Sequence, residues 1–174
     1  PNPDRKVACS HLMSGNDIIN GTAGNDEQTL TGTDGGNDTY NMGAGDDRVV
    51  GGLGNDTYNG GTGDDELSFR ETQYNEGMTA IRGATINRQA GVVADPWGGT
   101  DRFFDFERFI GSRFNDSFIG SNTERDNFVG LRGRDTIDGG ANTFVSGVQT
   151  SDNRDRVQYN EDYWSGGRFG VVVD

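Results

Sequence analysis

The chain has 174 residues and a formal net charge of −13, with 28 acidic residues against 15 Lys and Arg. Gly supplies 29 residues, while Leu, Ile, Val and Phe together make up about a fifth, a composition at the border of disordered chains. One Cys, one His and no long apolar run exclude a disulfide framework, a Cys-based zinc site and a membrane span, and the negative field disfavours a nucleic-acid partner.

The first thirteen residues contain no repeat. Pro1 and Pro3 flank Asn2, and two basic residues follow. We interpret residues 1–13 as a leader or linker, native or vector-derived, and assign no role to Cys9 or His11.

From residue 14 onward, Asp recurs at a nearly constant interval. Six Asp residues are separated by 9, 12, 9, 9 and 9 positions: Asp17, Asp26, Asp38, Asp47, Asp56 and Asp65. Units 51–59 and 60–68 both follow the pattern G-G-x-G-x-D-x-U-x, where U is a bulky apolar residue. A second run, 111–138, keeps the same frame around Asp116, Asp126 and Asp135.

Each residue type in this unit has a physical reason to be there. Gly permits positive φ and close backbone approach, as a tight loop requires. The Asp at position 6 is a hard carboxylate ligand, and Asn or Asp at position 5 adds a second polar group. Open loop carbonyls complete an all-oxygen shell, which suits Ca²⁺ better than Mg²⁺ because Ca²⁺ accepts adaptable geometry. The last three residues predict a short strand whose central side chain points inward.

Two units form one flattened coil of 18 residues, and coils stack about 4.8 Å apart. Loops two units apart then share an edge, which predicts about four inter-loop calcium sites in the first block. The paired acids are Asp17 with Asp38, Asp26 with Asp47, Asp38 with Asp56, and Asp47 with Asp65. The predicted inward stack is Ile19, Leu30, Tyr40, Val49, Tyr58 and Leu67. This apolar stack is thin, so bound ions are expected to be part of the core.

The candidate metal ligands come from loop positions 2, 4, 5 and 6 and from equivalent places in less regular units. In the first block they are Asn16, Asp17, Gly24, Asn25, Asp26, Asn37, Asp38, Gly43, Gly45, Asp46, Asp47, Gly52, Gly54, Asn55, Asp56, Gly61, Gly63, Asp64 and Asp65. Beyond it they are Asp101, Asn115, Asp116, Asp126, Gly133 and Asp135. In the second run, neighbouring Arg residues offer an alternative, since an Arg can pair with a carboxylate in place of an ion.

The nonapeptide pattern resembles the RTX (repeat-in-toxin, hemolysin-type) calcium-binding modules of bacterial exported proteins. The resemblance implies an all-β, right-handed parallel β-roll or β-helix solenoid with calcium between stacked loops. It also implies extracellular calcium, type I secretion, and a chain that is disordered without calcium.

The chain divides into four stretches. The leader is followed by the calcium-binding nonapeptide roll at 14–68, longer-period β coils at 69–110, and a degenerate repeat block at 111–174 that runs into a further, truncated long unit. The first block holds 11 acids and one base, which is expected if metal ions balance the carboxylates. A Phe series is expected to widen the core of the later half: Phe103, Phe104, Phe106, Phe109, Phe114, Phe118 and Phe128. For Trp97 and Trp164 we favour burial in the coils over a surface role in binding a partner or glycan.

No sequence motif for catalysis is present. We expect a structural, adhesin-like module of a large secreted or surface-attached protein, joined to neighbouring domains of a longer chain. The alternative is a non-catalytic module of an exported protease, lipase or alginate-modifying enzyme. An ice-binding roll is disfavoured because Thr22, Thr33 and Thr62 do not recur at every coil. A glycan or cell-surface partner is left open.

Overall fold

The structure is a computed structural model that describes residues 15–28, 35–70, 80–122 and 125–140, together with short strands at 6–7, 144–145, 148–149, 156–158 and 172–173. Every element in the described part of the chain is a strand, and none of it forms a helix long and apolar enough to cross a membrane. The strands are β1 (Lys6–Val7), β2 (Ile18–Asn20), β3 (Asp26–Gln28), β4 (Thr39–Ala44), β5 (Arg48–Val50), β6 (Thr57–Thr62), β7 (Glu66–Ser68), β8 (Thr85–Asn87), β9 (Val92–Ala94), β10 (Thr100–Phe104), β11 (Arg108–Ile110), β12 (Ser117–Ile119), β13 (Asn127–Val129), β14 (Thr136–Asp138), β15 (Phe144–Val145), β16 (Val148–Gln149), β17 (Arg156–Gln158) and β18 (Val172–Val173).

The chain winds between two sheets. Seven strands form the first sheet in the order β1-β3-β5-β7-β11-β13-β17, and nine form the second in the order β18-β14-β12-β8-β9-β10-β6-β4-β2. Within these two sheets neighbours pair in parallel, with β9 as the exception, and β15 and β16 form a separate antiparallel pair. Equivalent repeat positions face each other: Tyr40 lies opposite Tyr58, and Val49 opposite Leu67. The predicted all-β parallel roll is confirmed.

An antiparallel excursion interrupts the second sheet. After β7 the chain reaches β8, turns back as β9, and returns as β10 to pair with β6. β8 then serves as the parallel partner of β12. The sequence predicted longer coils here, but not a reversed strand. The turn at 88–91 between β8 and β9 places Arg88 beside the loop that precedes β13 of the first sheet.

The core is the thin stack that the repeat pattern predicts. Ile19, Tyr40, Val49, Tyr58 and Leu67 are buried, while Leu30 lies outside the described residues. The rings of Tyr40 and Tyr58 stack with their centroids 5.1 Å apart. Each of these repeat strands therefore contributes an inward side chain, and β4 adds a second one, the buried Met42.

Phenylalanines widen this core in the later coils. The Phe103 and Phe109 rings lie 5.0 Å apart across the two sheets, and Phe118 lies 5.0 Å from Phe128. Trp97 is 8% exposed, as expected, and Trp164 lies outside the described residues. The expectation for Phe104 was wrong: it is 50% exposed, because β10 alternates and Phe103 takes the inward position.

At three position-4 glycines the coils approach so closely that no Cβ fits. A Cβ on Gly54 would lie 1.9 Å from the carbonyl oxygen of Gly36, and one on Gly63 would lie 1.9 Å from that of Gly45. Gly99 takes the same position on the next coil, where a Cβ would lie 1.8 Å from the Gly54 oxygen. Stacking therefore requires Gly at these three places.

Gly54→Ala is expected to destabilise the calcium-bound chain by about 2 kcal/mol or more, because φ at Gly54 is +135° and the added Cβ meets backbone that cannot move aside. Urea unfolding in calcium measures this. The matched control is Gly35→Ala, one position earlier in the equivalent loop, where nothing lies within 4 Å of the new Cβ. Equal losses in the two variants would contradict the close-approach argument.

Candidate metal centre

The acid at loop position 6 bonds to its counterpart on the next coil. The Asp26 N–H donates to Asp47 Oδ1 at 2.7 Å, and the Asp47 N–H donates to Asp65 Oδ1 at 2.7 Å. The same bond joins Asp17 to Asp38 and Asp38 to Asp56. All four acid pairs expected from the repeat spacing are thus brought together, in two columns along the two edges of the roll.

Both columns continue into the longer coils. The Asp56 N–H donates to Asp101 Oδ1 at 2.9 Å, so Asp101 is the position-6 acid of its coil. The Asp65 N–H donates to Glu107 Oε2 at 2.9 Å. Sequence reasoning missed Glu107 because its loop lacks the Gly pattern. The available signal was an acid directly before a short x-U-x strand, here β11.

Position 5 forms a second ladder that runs in the opposite direction. The Asn37 N–H donates to Asn16 Oδ1 and the Asn55 N–H to Asn37 Oδ1, both at 2.9 Å. The same kind of bond runs from the Asp46 N–H to Asn25 and from the Asp64 N–H to Asp46. It also runs from the Thr100 N–H to Asn55 and from the Arg134 N–H to Asn115. These side chains, predicted as metal ligands, thus tie successive loops together, and metal ligation by them stays a prediction.

One oxygen of several position-6 acids has no donor. With Oδ1 of Asp47 and of Asp65 used by the coil-to-coil bond, Oδ2 of each is buried and receives no hydrogen bond from the described residues. The same is true of Asp17 Oδ2, Asp26 Oδ1, Asp95 Oδ2 and Asp101 Oδ2. A buried carboxylate oxygen without a donor is costly unless a cation lies beside it.

Backbone carbonyls border the same spaces as these oxygens. The position that a Cβ on Gly60 would take is 2.1 Å from the Asp105 carbonyl and 2.7 Å from Asp65 Oδ2. At Gly99 it is 1.8 Å from the Gly54 carbonyl and 2.3 Å from Asp95 Oδ2. No three His, Cys, Asp or Glu side chains in the described ranges form a metal cluster. The donors offered in these gaps are carboxylate and carbonyl oxygens, which fits a hard cation such as Ca²⁺.

The glycines predicted as carbonyl ligands lie in these loops. Positive φ is found at Gly43, Gly45, Gly54, Gly61, Gly63 and Gly133. The carbonyl of Gly43 faces the next coil, since a Cβ on Gly61 would lie 2.0 Å from it. Gly24 and Gly52 lie in the equivalent loops without a positive φ.

Asp95 is an acid that the repeat pattern did not identify. It follows β9 and is fully buried, with Oδ1 accepting the N–H groups of Trp97 at 2.6 Å and Gly98 at 2.7 Å. Burial, together with the carboxylates of Asp95 and Asp56, raises the pKa of Asp101 to about 8. Asp95 therefore adds negative charge beside the gap between Asp56 and Asp101.

Asp38 and Asp56 differ from Asp47 and Asp65 because a Tyr hydroxyl donates to Oδ2 of each. The Tyr40 hydroxyl lies 3.5 Å from Asp38 Oδ2, and the buried Tyr58 hydroxyl lies 3.0 Å from Asp56 Oδ2, while Asp56 Oδ1 accepts the Asp38 N–H. Burial and the nearby carboxylates of Asp101 and Asp56 raise the pKa of Tyr58 well above its ordinary value, so this hydroxyl stays a donor. A cation between Asp38 and Asp56 would compete with Tyr58.

The acids of the second run have protein donors. Asp116 accepts hydrogen bonds from the Ala84 N–H, the Ser112 N–H and the Ser112 hydroxyl. Asp126 accepts the Ser121 N–H and pairs with the Arg88 guanidinium. Asp135 Oδ1 accepts the Asp116 N–H at 2.8 Å, which continues the ladder. Metal binding at these three residues stays a prediction.

A model of the RTX calcium-binding nonapeptide repeat, in four copies, matches residues 13–27, 32–67 and 121–143. No curated protein matches the chain. The stacked loops with paired acids therefore define a calcium-binding parallel β-roll. These three stretches of the chain carry RTX calcium-binding nonapeptide repeats, which bind Ca²⁺ as part of their structure.

Asp47→Asn is expected to raise the calcium midpoint for folding by about tenfold or more and to lower its cooperativity. The variant keeps an oxygen for the Asp26 N–H but removes the charge from a gap where the second oxygen has no donor. Calcium titration followed by far-UV circular dichroism measures the midpoint. Asp138→Asn, which removes an exposed charge on β14, is the control and should leave the midpoint unchanged.

Without calcium, the folded chain is expected to lose stability as the pH rises from about 4 to about 8. Burial and neighbouring acids raise the pKa values of Asp56 and Asp65 to about 6, of Asp116 to about 7 and of Asp101 to about 8, from 3.8. The folded state thus holds more protons than the unfolded state across this window.

Far-UV circular dichroism with thermal melting in calcium-free buffer, begun at about pH 4 where these acids are protonated and then taken to higher pH, tests this sign. In saturating calcium the trend should weaken or reverse, because bound Ca²⁺ requires the ionised carboxylates. Calcium-free stability that rises with pH would contradict the assignment.

Proposed function

We propose that this chain is a calcium-stiffened structural segment of a large secreted or surface-attached bacterial protein, with an adhesin-like role. The observation that carries the proposal is the row of buried carboxylate oxygens without donors, placed between successive coils. Six gaps join adjacent position-6 acids in the described first block and its continuation. In five of these gaps, all except Asp38–Asp56, at least one of the two acids has a buried oxygen without a donor among the described residues, and a cation there would balance the charge.

Extracellular calcium is the cation that suits this arrangement. The first block has 11 acids and one base, so the stacked state repels itself without bound ions. Loops built from two carboxylates and backbone carbonyls on a repeating scaffold resemble extracellular modules, whose calcium dissociation constants are about 10⁻⁴–10⁻³ M. Such affinity would leave the chain unfolded inside the cell and fold it after export, as type I secretion requires of an RTX chain.

The continuity of the stack supports a mechanical role. The seven strands of the first sheet run through both repeat blocks, a length of roughly 30 Å at about 4.8 Å per strand. The β8–β10 excursion keeps the parallel register on both of its sides. A rod whose every coil contacts only its neighbours is suited to act as a spacer between neighbouring domains.

The first repeat block is expected to gain β structure cooperatively with a calcium midpoint of about 10⁻⁴–10⁻³ M and to lose it in EDTA. Far-UV circular dichroism with thermal melting measures this, and magnesium at the same concentration is the control. Force spectroscopy in calcium and in EDTA then tests the load-bearing role. A midpoint in the micromolar range would argue against folding controlled by export, and unchanged mechanical strength on chelation would argue against the spacer role.

A further inference from the structure

Arg88 reaches from the excursion into the acid column of the other sheet. It follows β8 in the turn at 88–91, and its N–H donates to the Ile119 carbonyl at 2.8 Å, which fixes the backbone beside β12. Only 6% of its side chain is exposed, although no repeat position calls for a buried Arg.

The side chain ends between two position-6 acids. Arg108 lies opposite both Glu66 on β7 and Asn127 on β13, so the residues just before these strands stack as Asp65, Glu107 and Asp126. The gap between Glu107 and Asp126 is thus the next one in the column after the gaps Asp47–Asp65 and Asp65–Glu107.

The guanidinium occupies that gap. Its Nη1 donates to Asp126 Oδ1 and, at 2.8 Å, to the Arg125 carbonyl, while Nη2 lies 3.9 Å from Glu107 Oε1. The carbon of the guanidinium lies 5.9 Å from the centroid of the Phe109 ring. Two carboxylates and a loop carbonyl are the same kinds of oxygen group that border the gap at Asp65.

We propose that Arg88 replaces a calcium ion between Glu107 and Asp126, and so decides where the calcium column ends. The guanidinium supplies fixed positive charge and several donors, and needs no ion concentration to do so. The inference rests on calcium binding by the repeat column, and not on the secreted or adhesin-like role. The coils around β12, β13 and β14 then keep their stacking when calcium is removed.

Removing the guanidinium should expose a calcium site. In Arg88→Ala, the gap between Glu107 and Asp126 loses the Arg88 guanidinium, and we expect one additional Ca²⁺ per chain by equilibrium dialysis with elemental analysis. Arg102→Ala removes an exposed Arg of the same excursion and should leave the count at the wild-type value. Adding Asp126→Asn to Arg88→Ala should abolish the additional ion.

The outcomes are separable. A wild-type chain that binds no calcium contradicts the calcium function itself. An unchanged calcium count in Arg88→Ala, with normal binding by the wild type, contradicts only the role of Arg88. An Arg88→Ala chain that folds only at high calcium supports the proposal, because calcium then restores what Arg88 supplied. One that saturating calcium cannot fold contradicts it, because an ordinary ion pair has no such substitute.

Hydrogen exchange of the wild-type chain in EDTA gives a test without any variant. Strands β12, β13 and β14 should keep their amide protection while β4 and β5 lose theirs. Equal loss of protection in both sets would overturn the proposal.

Discussion

The stacking of one coil on the next sets carboxylates side by side along both edges of the roll, and the rest of the structure depends on how that charge is balanced. A repeat of about 4.8 Å brings every position-6 acid against the next. The coil-to-coil hydrogen bond, such as that from the Asp47 N–H to Asp65 Oδ1, uses one oxygen and leaves the other in a buried gap. The same contact that orders the coils therefore creates the need for a cation.

The molecule meets this need in different ways along its length. In the first block, donors are lacking at Asp47 Oδ2 and Asp65 Oδ2, and calcium is the charge that fits. Farther along, Ser112 and the Ala84 N–H satisfy Asp116. The same repeat frame thus accommodates loops whose acids need an ion and loops whose acids receive hydrogen bonds from the protein. A matched repeat pattern, as at 121–143, indicates the backbone fold more firmly than it indicates a bound ion.

The glycine and acid positions serve a single geometry. Gly54 and Gly63 permit the coils to approach until a Cβ would overlap a carbonyl, and that approach brings the paired acids into contact. The position-5 ladder, running in the opposite sense to the position-6 ladder, fixes the register of successive loops. Register is essential here because a shift of one residue would turn the inward stack of Tyr40 and Tyr58 toward solvent.

The sequence by itself determined the β-roll, the inward stack and all four acid pairs of the first block. It did so because a nine-residue period is local: each unit repeats the same turn and strand, and stacking follows from repetition. The tertiary structure decided what lies outside that period. Glu107 joins the column through strand pairing alone, Phe104 faces solvent because β10 alternates, and Asp95 reaches its gap through an antiparallel strand. Arg88 meets Asp126 from 38 positions away. The contacts of Asp95 and Arg88 depend on how the excursion folds back on the stack, and residue spacing carries no signal for them.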